Sequence, residues 1–153
     1  MIVALLVPPV LVANGLAAGV LLWTAVGGVP LTLRMPPDEY VRVAQFWGKR
    51  FEPLQPICIG LTCVADVALA AVAAGPARLL FGLGAAATVS VIAISVTRNV
   101  PIKRWVASLD ASALPADWER RDPRRRWAAW NLNRTVLAML ALVVNSAAVA
   151  LLI

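Results

Sequence analysis

The first 33 residues carry no charged side chain. A helix that is apolar on every side has no face to turn toward water, so it is buried in a large core or in lipid. Three more apolar runs follow, at 56–74, 77–97 and 132–153. Each is roughly 20 residues long, enough at about 1.5 Å per residue to cross a hydrocarbon core of about 30 Å. Pro8 and Pro9 are expected to break the start of the first run, which places its span at 9–33. Only 14% of the chain is charged, against about a quarter in a soluble domain. In lipid every backbone N–H and C=O must be satisfied within the segment, and no barrel-like alternation is present, so the spans are helices. The expected fold is an all-α integral membrane protein: a single four-transmembrane-helix domain over 1–153, with long connecting segments at 34–55 and 98–131.

The charges orient it. All Lys and Arg except Arg78 lie in those two segments or at their edges. The positive-inside rule then puts both segments in the cytoplasm and both termini outside the cytoplasmic (inner) membrane. The net charge of +6 is therefore read as topology and not as a nucleic-acid footprint, because no soluble domain remains to carry a groove. The first segment is not slack. Pro36-Pro37-Asp38-Glu39 reads as a helix start, and Tyr40, Val43, Ala44, Trp47 and Phe51 form one apolar stripe. A short amphipathic interfacial helix is expected there, lying in the cytoplasmic interface or folded over the mouth of the bundle. A second amphipathic piece is expected over 102–109, and the last helix is expected to begin near Pro123.

The chain contains no His. That removes a Ser-His-Asp triad, His-ligated haem and His-ligated zinc, copper or iron, so no metal or other cofactor is expected. Cys58 and Cys63 cannot build a four-thiolate site. On one helix they point roughly 140° apart and read as small buried hydrophobes.

Polar side chains inside the spans carry the remaining information. A carboxylate near mid-membrane costs several kcal/mol on insertion scales, so Asp66 must face the bundle interior. It reads either as a proton acceptor or as a structural pair. Cys58, Thr62 and Asp66 share one helix face. Thr88, Ser95 and Asn99 fall on another, and Trp127, Asn131, Arg134, Ala138 and Asn145 on a third. Asn14 and Thr24 come from the first span. These stripes are expected to enclose one semi-polar chamber near the basic end, the bland alternative being interhelical hydrogen bonding. Arg124–Arg126 with Trp127 and Trp130 also read as snorkelling cations and an aromatic belt. Gly15-Leu16-Ala17-Ala18-Gly19 is a GxxxG that permits a homo-oligomer contact.

Two motifs go further. Arg98-Asn99-Val100-Pro101-Ile102 follows the third span, and Trp127-Ala128-Ala129-Trp130-Asn131-Leu132-Asn133-Arg134-Thr135 enters the fourth. With Met35-Pro36-Pro37 and Pro53 in the first segment, the chain resembles the anthrone oxygenase-like small membrane proteins. That family's pattern often continues Asn-x-Pro-Leu-Asn. Here Lys103 follows Ile102, so the second Asn is missing. The resemblance implies a four-helix membrane protein, with some relatives in aromatic polyketide pathways oxidising an anthrone to an anthraquinone.

The residues suit that chemistry. Deprotonating an anthrone gives an electron-rich carbanion that reacts with dioxygen without metal or flavin. Such an oxygenase needs an apolar slot, a base and donors for the developing oxyanion. Asn99, Asn131 and Arg134 are candidate oxyanion holders and Asp66 the candidate base. Trp130, Trp127, Arg98 and Tyr40 are candidate substrate contacts, Tyr40 doubling as a relay. The partners expected are an apolar small molecule and the bilayer. The alternatives are a cyclase or isomerase tailoring a natural product without dioxygen, and a non-catalytic membrane binding or assembly protein.

Overall fold

The computed structural model describes residues 2–51 and 53–152, with side chains from residue 5 onward. The regular structure of the described residues is all helical, and four helical stretches are long and apolar enough to cross a membrane: Leu5–Arg34, Leu54–Val72, Gly75–Ala107 and Trp118–Ala150. The chain is a multi-pass helical membrane protein.

The first span is α1 (Ile2–Trp23), which continues through a π-turn at Thr24–Gly28 into α2 (Val29–Arg34). Pro8 and Pro9 do not break it: the helix runs through both. They fall in its opening turns, so the ring nitrogens remove only two intrahelical bonds, close to an end whose first N–H groups are unpaired in any case. The chain leaves the helix at Met35, extended ahead of Pro36, as the residue before a proline prefers. Next comes α3 (Pro37–Phe51), with Asp38 and Glu39 in its first turn and Lys49 and Arg50 in its last, matching the helix dipole at both ends. The second span is α4 (Leu54–Val72) and the third α5 (Gly75–Ile94). Between them Gly75 takes a left-handed φ of 58°, a conformation glycine reaches without steric cost. Arg78, the one base at this end, donates from Nε to Ala73 O at 3.0 Å and from Nη2 to Ala71 O at 3.2 Å, satisfying carbonyls that the end of α4 leaves free.

The third span passes through a second π-turn, Ser95–Asn99, into α6 (Val100–Ala107). The two π-turns share a local cause. Each is followed by Val-Pro: Val29 N–H donates to Thr24 O ahead of Pro30, and Val100 N–H donates to Ser95 O ahead of Pro101. The wider turn carries the helix past a residue without an N–H. After α7 (Trp118–Arg121) the last span is α8 (Arg124–Ala150).

The spans pack in the cyclic order α1, α4, α5, α8, with α8 closing on α1. Their interior is layered along the bundle axis. At the end away from the basic segments, Val10, Leu69, Ala73, Ala77, Phe81 and Ala148 form an apolar layer. Nearer the basic end a second apolar layer holds Ala17, Ala18, Leu21, Cys58, Ile59, Val91 and Ala138. Between these, by position along the helices, lie buried Asn14, Thr62, Asp66, Thr88 and Asn145. Beyond the second apolar layer a third cluster caps the bundle: Tyr40, Val41, Ile102, Val106 and Trp118. In α3 it is Val41, not Val43, that is fully buried beside Tyr40. The distal part of the expected stripe serves a different neighbour, since Trp47 and Phe51 pack on Trp23 with ring centroids 5.6 and 6.2 Å apart. Gln45 Nε2 ties α3 to the end of α6 by donating to Leu109 O at 2.9 Å.

Arg124 fastens this cap. It pairs with Asp122, donates from Nη1 to Met35 O at 2.7 Å and to Thr32 O at 3.1 Å, and lies over the Tyr40 ring. It therefore holds the end of the first span against the start of the last. A Cβ at either GxxxG glycine would meet nothing within 4 Å; the two border an outward-facing apolar groove of about 320 Å³ with Trp23 and Phe51.

Candidate oxyanion site

Arg134 lies ten residues into α8 and is 4% exposed. Its guanidinium meets three neutral side chains. Nη1 donates to Ser95 Oγ at 3.0 Å and Nη2 to Asn131 Oδ1 at 2.8 Å. The Asn99 side-chain oxygen, in the amide orientation that satisfies both groups, accepts from Nε and Nη2, each at 2.9 Å. The π-turn makes this possible, because it places Ser95 and Asn99, one wide turn apart, against the same guanidinium. Asn131 sits one turn before Arg134 on α8, and Thr135 Oγ1 ties that turn to α1 through Leu21 O at 3.2 Å.

Among the described residues no carboxylate pairs with Arg134, and the buried charged side chains are Arg134 and Asp66. Enclosing an unpaired cation is costly. Asn131 Nδ2, buried beside it, also lacks an acceptor. The cluster thus offers donors and positive charge, and lacks an anion.

The expected single chamber is not what the structure shows. Asn99, Asn131 and Arg134 come together, with Ser95. Asp66 does not join them. It is fully buried on α4, and its Oδ2 accepts from Asn145 Nδ2 at 3.2 Å. Asn145 is eleven residues beyond Arg134 on the same helix, about 16 Å along the axis at 1.5 Å per residue. The apolar layer of Leu21, Cys58, Ile59, Val91 and Ala138 lies between. Cys58 is buried, Cys63 is half-buried, and both are free thiols.

Arg98 and Trp130 are adjacent in space, the Arg98 guanidinium 4.9 Å from the ring centroid. They line an outward groove of about 290 Å³ with Thr97, Pro101, Ile102, Trp105 and Arg126. Each is the chain neighbour of a cluster residue, Asn99 or Asn131, on the outer side of the same helix pair. Trp127 and Tyr40 are placed elsewhere: Trp127 packs half-buried against the cap, and Tyr40 is part of its core. Burial, reinforced by the charge of Asp122 and offset in part by Arg124, pushes the Tyr40 hydroxyl up from 10 to about 12. Tyr40 therefore stays a neutral phenol at physiological pH.

A test of the cap follows from that shift. Tyr40 is the one tyrosine of the chain, so the tyrosinate ultraviolet band reports it alone. The band is expected to rise with a midpoint near pH 12 in the folded protein and near pH 10 once unfolded. The raised value means that Tyr40's contribution is fully present below pH 10 and is lost as pH rises through 12; two units correspond to about 2–3 kcal/mol. A folded-state midpoint near 10 would show Tyr40 in water.

Two features had no warning in composition or periodicity: the fork from Arg134 to a π-turn, and Arg124 as a fastener. The repeated Val-Pro after five residues of each π-turn was the available signal for the first.

Comparison with known proteins bears on the same helices. The model of the anthrone oxygenase family matches residues 44–144. No curated protein and no solved structure matches the chain. The matched region holds both motifs that build the Arg134 cluster and its outer groove, and it covers well over half of the chain. The chain therefore belongs to the anthrone oxygenase family, with an oxygenase-like role at the level of that family.

Proposed function

We propose that this protein is a cofactor-independent oxygenase of the cytoplasmic membrane. It acts on an apolar aromatic compound with an acidic methylene held between two aryl rings that conjugate it to a ketone across the central ring, the anthrone-to-quinone conversion of aromatic polyketide tailoring. The observation that carries the reading is Arg134: a buried cation with neutral partners, enclosed where an oxyanion would supply the missing charge. When the methylene loses a proton, negative charge moves to the ketone oxygen. Preorganised donors around that oxygen stabilise the anion and lower the barrier to forming it. The proton departs to water at the basic end, so Asp66, held in another layer, has no part in the reaction.

The carbanion then reacts with dioxygen. One oxygen atom becomes the new ring carbonyl, and the other leaves as water with the two methylene hydrogens. Trp130 and Trp105 give the groove aromatic walls for a flat substrate arriving from the bilayer, and Arg98 and Arg126 give it a cationic rim. With no His in the chain and no cluster of three metal-ligating side chains among the described residues, the reading assigns no resident metal. The basic segments face the cytoplasm by the positive-inside rule.

The test supplies anthrone to membranes containing the chain and follows dioxygen and product together. One dioxygen consumed per quinone, above the rate of membranes lacking the chain, is the expected result. Conversion of substrate without dioxygen uptake would favour a cyclase or isomerase and overturn the oxygenase reading.

A further inference from the structure

The Asp66 layer has a chemistry of its own. Asp66, Asn145, Asn14 and Thr62 are each at most 1% exposed, and apolar layers lie on both sides of them. Asn145 Nδ2 donates to Asp66 Oδ2. The other oxygen of each group, Asp66 Oδ1 and Asn145 Oδ1, has no partner. Two buried acceptors of one hydrogen-bonded pair thus have no protein partner, and each such vacancy is costly. Neighbouring donors do not relieve them. Asn14 Nδ2 bonds to neither, and the Thr62 and Thr88 hydroxyls donate to carbonyls of their own helices, Cys58 O at 2.8 Å and Gly84 O at 3.0 Å. Among the described residues the other buried charged side chain is Arg134, about 16 Å from Asn145 along α8.

We propose that this layer is a proton-binding site, in which Asp66 carries a hydrogen that it donates to the Asn145 side-chain oxygen. A carboxylic acid and a primary amide are complementary. The acid O–H meets the amide oxygen while the amide N–H meets the acid carbonyl, and the pair closes as a ring of two hydrogen bonds. The structure already contains one of those bonds, and a single proton satisfies both bare oxygens at once. It also leaves the layer uncharged, as mid-membrane burial demands. Gly84 makes room for the pair. A Cβ there would collide with Asn145 Oδ1 and lie 2.9 Å from Asp66 Oδ2, so the missing side chain lets acid and amide nest against α5. The proton thereby joins α4 to α8 across the glycine of α5.

Infrared spectroscopy of the purified protein tests this directly. At neutral pH the parent is expected to show the carbonyl stretch of a protonated carboxyl group, shifted in heavy water and missing in Asp66→Asn. Asp66→Asn keeps size and neutrality and should melt within a few degrees of the parent, whereas Asp66→Ala should melt many degrees lower. Exchanging the partners, Asp66→Asn together with Asn145→Asp, should restore the band and keep the stability. Absence of the band in the parent would overturn the proposal. A melting temperature raised by sodium chloride over choline chloride in the parent but not in Asp66→Asn would also overturn it, by showing a bound cation in place of the proton.

Discussion

Arg134→Gln is expected to lower dioxygen-dependent turnover by about 10²- to 10³-fold, the usual cost of removing an oxyanion donor, while leaving the protein as stable as before. The two halves of this expectation have one cause. Removing a buried charge that has no counter-ion among the described residues relieves a desolvation penalty of several kcal/mol, which offsets the hydrogen bonds that go with it. Ser95, Asn99 and Asn131 lose a partner, but Gln returns one amide to the cluster. The loss should fall on kcat more than on KM, because the charge that Arg134 meets develops in the transition state. Arg134→Lys separates charge from shape. It keeps a cation but not the planar fork that reaches Ser95 Oγ, Asn131 Oδ1 and the Asn99 oxygen together, so it should recover only part of the rate. Rates and melting curves measured side by side on the two variants and the parent decide the matter. Unchanged turnover in Arg134→Gln would remove the oxyanion assignment, and a collapse of its melting temperature would make Arg134 a structural residue.

Much of this architecture can be read from residue order, because a bilayer leaves few options. Sparsely charged runs of spanning length must be helices, and the bases gather at one end; the prolines were the poorer guide, since the first span runs through Pro8 and Pro9. The α3 helix was visible from its proline start and its apolar spacing, although Val41 replaces Val43 in the core because α3 leans on α6 and α7 rather than lying along lipid. The site was legible in one dimension only. Helical periodicity gives the direction in which a side chain points, and most of the polar residues inferred to face inward are buried: Asn14, Thr62, Asp66, Thr88, Asn99, Asn131, Arg134 and Asn145, with Thr24 and Ser95 half-buried. Periodicity does not give height along the axis. Helix α8 begins at Arg124, outside the apolar run that starts at residue 132, so Arg134 is shallow in the bundle while Asp66 is deep. One expected chamber thus divides into two polar layers with an apolar layer between. The π-turn at Ser95–Asn99 was hidden for another reason: its residues carry no propensity signal, and the geometry follows from a proline two positions further on.

Gly84→Ala should be among the most damaging methyl additions in the molecule, costing about 1–3 kcal/mol from overpacking and on the order of 1 kcal/mol more if the Asn145–Asp66 hydrogen bond opens. The new Cβ would meet two side-chain oxygens of a buried, hydrogen-bonded pair. Either Asn145 and Asp66 turn their side chains and open that bond, or α5 moves away from both. The effect belongs to this position and not to glycine in a helix as such. Gly82, two residues earlier on α5, has nothing within 4 Å of a Cβ, so Gly82→Ala should be neutral or gain up to about 1 kcal/mol of helix propensity. Thermal unfolding of the pair in one detergent, with helical ellipticity as the signal, makes the comparison. Equal melting temperatures for the two variants would mean that α5 does not press on the Asp66–Asn145 pair. A drop confined to Gly84→Ala would tie the stability of three spans to the acid–amide contact they enclose.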